Sequence, residues 1–157
     1  MPFKILLVED SPHKASKVIE YINTLNLNIS ITHNLSFSSG SKAVENDVYD
    51  LILLDLSLPT YDKVGSESGG RFRTFGGREI ARKAFRNKKT TKILFITQYS
   101  AFSDKGKSYS FEGYKTDLAN DKNINFGGMI LYHSASSSWK DSLLKALKGE
   151  VIANSDS

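Results

Sequence analysis

The 157-residue chain is 39% hydrophobic and 24% charged, an ordinary balance for one globular domain that can bury its own core. It contains no cysteine, which excludes disulfides and thiolate metal sites, and no apolar run near the ~20 residues of a membrane-crossing helix. The formal charge of +4 is local: residues 60–92 hold 10 Lys/Arg against 3 Asp/Glu, residues 1–59 hold 4 against 7, and residues 93–157 hold 7 against 7.

Taken in order, Phe3–Val8 is a buried-strand pattern that runs straight into the acids Glu9-Asp10. That start is too short and too acidic for a signal peptide, so a cytoplasmic location is expected. Ser11 and Pro12 supply N-cap and first-turn chemistry, and Ala15, Val18, Ile19, Ile22 and Leu25 recur at helical spacing, predicting an amphipathic helix to about Leu25. Ile29–Thr32 alternates as a short second strand, and Ser38 to Asn46 reads as a second helix weakened by Gly40. Leu51–Leu54 is apolar on both faces, the mark of a central parallel strand, and ends at Asp55, with Pro59 stopping any continuation.

Residues 60–77 lack apolar periodicity and are rich in Gly and Ser, predicting a long mobile loop. A third helix follows at Gly77–Asn87, a fourth strand at Lys92–Thr97 and a fifth at Gly127–His133, with a last helix from about Ser138. The polar stretch from Gln98 to Asn125 yields only a short helix. The whole is read as one domain, residues 1–152, with enlarged loops at about 60–76 and 98–125 and a disordered tail at 153–157. This order predicts an α/β fold: a doubly wound, five-stranded parallel sheet of flavodoxin-like order 2-1-3-4-5 with helices on both faces.

In that order the strand ends carrying Glu9-Asp10, Asp55 and Thr97 converge on one cleft at the carboxyl edge of the sheet, where open α/β proteins bind ligands. Taken alone, Asp55 equally reads as a turn cap. Together the carboxylates repel one another unless a cation is present, and an all-oxygen set without His or Cys suits a hard divalent ion, Mg²⁺ best. The backbone carbonyl of Ser57 is placed to complete the coordination. A metal-bound Asp facing a hydroxyl is equipped to attack a phosphoryl group and form an acyl phosphate.

Ile5–Asp10, Asp50–Leu56 with Pro59, Gly77-Arg78-Glu79-Ile80 and Ile93–Thr97 together resemble the receiver domain of two-component response regulators. The resemblance spans roughly residues 3–59, 76–98 and 126–148. It implies a stand-alone, Mg²⁺-dependent phosphoryl acceptor rather than a dedicated enzyme, with at most self-phosphorylation and self-dephosphorylation. Its expected partners are a histidine kinase or phosphotransfer protein and a downstream protein, with no membrane role. On this reading Asp55 is the phospho-acceptor, Glu9 and Asp10 are metal ligands, and Thr97 is the switch hydroxyl.

The pattern departs from the family where strand five ends: Leu131-Tyr132-His133-Ser134 stands where family members carry a Lys. His133 is the candidate substitute if protonated, and is equally read as a plain strand-end residue. The alternative is a degenerate receiver acting as a phosphorylation-independent adaptor that binds protein or nucleic acid. Arg71, Arg73, Arg78, Arg82, Lys83 and Arg86 would form a positive face for an anionic partner, with Phe72 and Phe75 offered for base stacking. The same cations also read as an ordinary solvated helix face. The full Gly-x-x-x-x-Gly-Lys-Ser/Thr signature of a phosphate-binding loop is absent, and no serine-nucleophile elbow is present around Ser134–Ser138.

Overall fold

The computed structural model describes residues 1–63, 69–104 and 106–155. Five strands form the central sheet: β1 (Phe3–Val8), β2 (Ile29–Asn34), β3 (Leu51–Leu54), β6 (Lys92–Thr97) and β9 (Phe126–Leu131). They pair in parallel in the order β2-β1-β3-β6-β9, which is the sequence-predicted order 2-1-3-4-5 among the sheet strands. The remaining strands are short and form two separate ribbons outside it.

Period-two alternation divides the core. Leu6, Val8, Ile52, Leu54, Ile93 and Phe95 face one side. There they meet Val44 of α2 (Phe37–Asn46), Ile80 and Ala84 of α3 (Gly76–Asn87), and Tyr114 and Leu118 of α4 (Phe111–Ala119). On the other side, Ile5, Leu7, Leu51, Leu53, Leu94 and Ile96 meet Ala15, Val18 and Ile22 of α1 (Pro12–Thr24). Trp139, Leu143 and Leu147 of α5 (Ser138–Ser155) complete that side. Both faces of β1 and β3 are therefore dry, which is why their sequences are apolar without interruption.

Local chemistry sets the helix starts. The Ser11 hydroxyl accepts from the Lys14 amide with Pro12 in the first turn, and Ser36 forms a capping box with Ser39. Gly40 is a close-approach residue: a Cβ there would lie 2.9 Å from a Val8 methyl, so the glycine that weakened the helix prediction lets α2 sit on β1. Gly77 is tighter still, since its Cβ would fall 2.1 Å from the Asp55 carbonyl oxygen. Its amide donates to the Leu56 carbonyl at 2.9 Å, pinning the start of α3 against the end of β3.

Three sequence expectations change. Across the 60–77 loop, β4 (Leu58–Pro59) just before it pairs antiparallel with β5 (Phe72–Arg73) inside it, so the insertion has a short stem; residues 64–68 lie outside the described part. The stretch 98–125 is an antiparallel hairpin, β7 (Ala101–Asp104) with β8 (Lys107–Ser110), followed by α4. Aromatic rings seat it: Phe75 stacks on Tyr114 at 4.6 Å, and Phe102 and Tyr109 lie 5.6 and 5.2 Å from that Tyr114 ring. Period-two aliphatic patterning misses this, because the apolar area comes from rings scattered among polar residues. Finally, α5 runs to Ser155, so residues 153–155 of the expected tail are helical, while 156 and 157 lie outside the described part.

Candidate functional site

Register assembles the site. Val8 is paired with Leu54 across β1 and β3, so Glu9, Asp10 and Asp55 leave the sheet at the same level. The Asp55 amide donates to the Val8 carbonyl at 3.1 Å, and the Glu9 amide to Asn34 at 3.0 Å, extending the ladder into the acidic residues themselves. Glu9, Asp10 and Asp55 each bring one carboxylate oxygen within 4.8 Å of the others. Glu9 and Asp55 are buried and Asp10 is half-buried.

Burial, foremost, pushes the Asp55 carboxyl up to about 8; Lys14 pulls it down, while Glu9 and Asp10 push it further up. Burial and the Glu9 charge likewise raise Asp10. Asp55 Oδ1 is buried without a hydrogen-bond partner, whereas Glu9 Oε2 accepts from the Ser11 amide at 3.0 Å. An unpartnered carboxylate oxygen is costly in a low-dielectric pocket and marks a place where a ligand would be stabilised.

Lys14, which the sequence reading passed over, is the cation at this site. Only 3% exposed, its ammonium lies 2.6 Å from Glu9 Oε1, 3.5 Å from Asp55 Oδ2 and 2.9 Å from the Ile96 carbonyl, to which it donates. The Glu9 contact is ionic rather than an aligned hydrogen bond. Lys14, Val18 and Ile22 share one buried row of α1 at four-residue spacing. A charge on an otherwise apolar row was the available signal.

The other expected residues divide into two groups. Thr97 is fully buried at the end of β6, its hydroxyl oxygen accepting from the Tyr99 amide at 3.2 Å. Ser57 is buried beside Asp55, its hydroxyl donating to the Thr74 carbonyl at 2.8 Å. His133 is exposed just past β9, and among the described residues no ion pair links it to Asp55; the cation within ion-pair distance of Asp55 is Lys14.

The expected positive face is largely neutralised within the chain. Arg78 binds Asp117 at 2.8 Å and Asp121 at 3.0 Å, and Arg82 reaches the same Asp121 at 2.8 Å. Lys83 pairs with Glu45 and Arg73 with Glu79, each at 3.4 Å. Phe75 is packed among aromatic rings and Phe72 alone is exposed, so the two do not form a stacking platform.

The donor set fits a hard divalent cation. All available ligands are oxygens, and three carboxylates against one ammonium leave two negative charges unbalanced when ionised. Two carboxylate oxygens of the group, Asp55 Oδ1 and Glu9 Oε1, are buried without a hydrogen-bond partner.

No family model matches the chain. An uncharacterized protein of Sinorhizobium fredii, y4jR, is 23% identical over 145 residues, covering 91% of this chain and 95% of that one. The signal receiver domain of an HD domain-containing protein from Pseudomonas fluorescens superposes with a TM-score of 0.66 at 12% identity, over 100% of both chains. A CheY-like receiver domain protein from Methanospirillum hungatei gives 0.62 at 16%, again over 100% of both. The response regulator TrrA from Thermotoga maritima, solved in complex with Mg²⁺ and BeF, gives 0.57 at 20%, covering 93% of this chain and 99% of that one. With its sheet order, its flanking helices and full-length agreement with these neighbours, the chain has the fold of response-regulator receiver domains.

Proposed function

We propose that the chain is a signalling module that accepts a phosphoryl group on Asp55 in a Mg²⁺-dependent reaction and acts through protein–protein contact. The observation that carries this reading is the convergence of the Glu9, Asp10 and Asp55 carboxylates, with Asp55 Oδ1 buried and unpartnered. Glu9, Asp10, Asp55 and the Ser57 carbonyl would hold the ion. Mg²⁺, when bound, supplies positive charge that offsets the charge on phosphoryl oxygens.

The chain's own residues supply the rest. An Asp55 carboxylate oxygen attacks phosphorus on a phosphohistidine of a kinase or phosphotransfer protein. The new O–P bond forms as the P–N bond breaks, and the electron pair leaves on the imidazole nitrogen. The product is an acyl phosphate on Asp55. Thr97 uses its oxygen to accept from Tyr99, which leaves its own proton available for a phosphoryl oxygen. Movement of that hydroxyl would draw the segment carrying Tyr99 and the β7–β8 hairpin beyond it, a surface a downstream protein can read. Cytoplasmic location follows from this role.

Beryllofluoride with Mg²⁺ imitates the phosphoryl state and gives a direct test. Amide resonances of residues 9–11, 55–57 and 97–99 are expected to shift in the wild type and to stay in place in Asp55→Asn. Unmoved resonances in the wild type, or the same shifts in the variant, contradict the assignment.

A further inference from the structure

We propose that Lys14, presented from the first turn of α1, is the cation that binds the phosphoryl group on Asp55 and carries its arrival to α1 and β6. The inference rests on the phosphoryl-acceptor reading above and names the residue that would complete it.

An ammonium has three protons to direct. Two of its contacts are short, at 2.6 Å to Glu9 Oε1 and 2.9 Å to the Ile96 carbonyl, while the approach to Asp55 Oδ2 is 3.5 Å, beyond a good hydrogen bond. Asp55 is therefore the loosely held partner. A phosphoryl group attached there adds three strong acceptor oxygens beside a cation that is already dehydrated and held in place. Among the described residues, Lys14 is the one basic side chain within ion-pair distance of Asp55. At 3% exposure, its attraction to a new dianion would be little screened by solvent or salt.

The surroundings of Lys14 say what would respond. Its ammonium lies 5.8 Å from the centre of the buried Tyr132 ring, which is 5.0 Å from the Trp139 ring of α5. Its carbonyl partner, Ile96, immediately precedes Thr97. Turning one Lys14 N–H from the Ile96 carbonyl to a phosphoryl oxygen, with the ammonium keeping its protons, would loosen the link between α1 and the end of β6. Two side chains, Lys14 and Thr97, would thus report the same event from different elements. If Lys14 served only to neutralise Glu9, replacing it would leave the affinity for a group on Asp55 undiminished.

The test uses the full chain, with ¹⁵N-labelled lysine side chains observed by NMR and Lys14→Met to assign the Lys14 ammonium signal. Beryllofluoride with Mg²⁺ is expected to shift that signal together with the Asp55 amide. Lys14→Met is expected to bind beryllofluoride about tenfold more weakly or worse, as for loss of a charge-assisted hydrogen bond, while binding Mg²⁺ at least as well as the wild type. A stationary Lys14 signal alongside a moving Asp55 amide overturns the inference and leaves the acceptor reading intact. So does undiminished beryllofluoride affinity in Lys14→Met. If neither wild-type signal moves, the acceptor reading itself fails and takes this inference with it. Should Lys14→Met not fold, the wild-type ammonium signal, assigned through Lys14→Arg, decides.

Discussion

Asp55 has one oxygen near an ammonium and one with no partner, and this asymmetry sets what a substitution there does. Replacing the carboxylate by an amide keeps its size while relieving repulsion from Glu9 and Asp10. Asp55→Asn is therefore expected to unfold at higher denaturant than the wild type in EDTA at pH 7, by roughly 1–3 kcal/mol. The gap should close when Mg²⁺ is added, because only the wild type regains a full ligand set. Equal or lower stability of Asp55→Asn in EDTA would show that the carboxylates are not in conflict. At this scale the acids were legible from the sequence, because each ends an apolar run. Lys14 was not, since reading a helix by its apolar residues hides a charge that is buried through pairing, and His133 drew attention by its place in the chain alone.

The elements that hold the site make their own demands. Gly77 lies where a methyl group would run into the Asp55 carbonyl oxygen, while its own amide is bonded to the adjacent Leu56 carbonyl, which holds the two backbones together. Gly77→Ala is expected to cost about 2–4 kcal/mol and to weaken Mg²⁺ binding, measured by denaturation and calorimetric titration. Wild-type values on both counts would show that α3 does not position Asp55.

On the far side of α3, burial alone would raise the Asp121 carboxyl, but the Asn123 amide and the Arg82 and Arg78 guanidiniums together hold it below its usual range. A carboxyl depressed in the folded state stabilises the fold above its unfolded pKa, and that contribution is lost as pH falls through the folded value. Asp121→Asn should thus lose about 1–2 kcal/mol at pH 7, discounted because Arg82 is partly exposed, and the deficit should shrink below about pH 4. A deficit constant with pH would contradict the ion-pair explanation. This network joins residues 43 apart in sequence through polar side chains, and the β7–β8 hairpin reaches back to Phe75 through aromatic rings. No local periodicity announces such a join, so the basic stretch read as an open face although Arg73, Arg78, Arg82 and Lys83 pair within the fold.

For the molecule as a whole, strand order was legible because buried parallel strands look alike and each is bounded by turn chemistry, as at Val8–Pro12 and Leu54–Pro59. The two enlarged regions were not, since their packing depends on partners elsewhere. The sheet delivers carboxylates from two distant segments to one edge, and α1 delivers the compensating ammonium from the side. On the proposed reading, that assembly serves phosphoryl transfer. Incubation of the intact protein with acetyl phosphate and Mg²⁺, followed by mass spectrometry, tests it most directly. The expected result is a gain of one phosphoryl group that maps to the peptide containing Asp55 and disappears with EDTA or in Asp55→Asn. No gain in mass, or a gain that survives in Asp55→Asn, would contradict it.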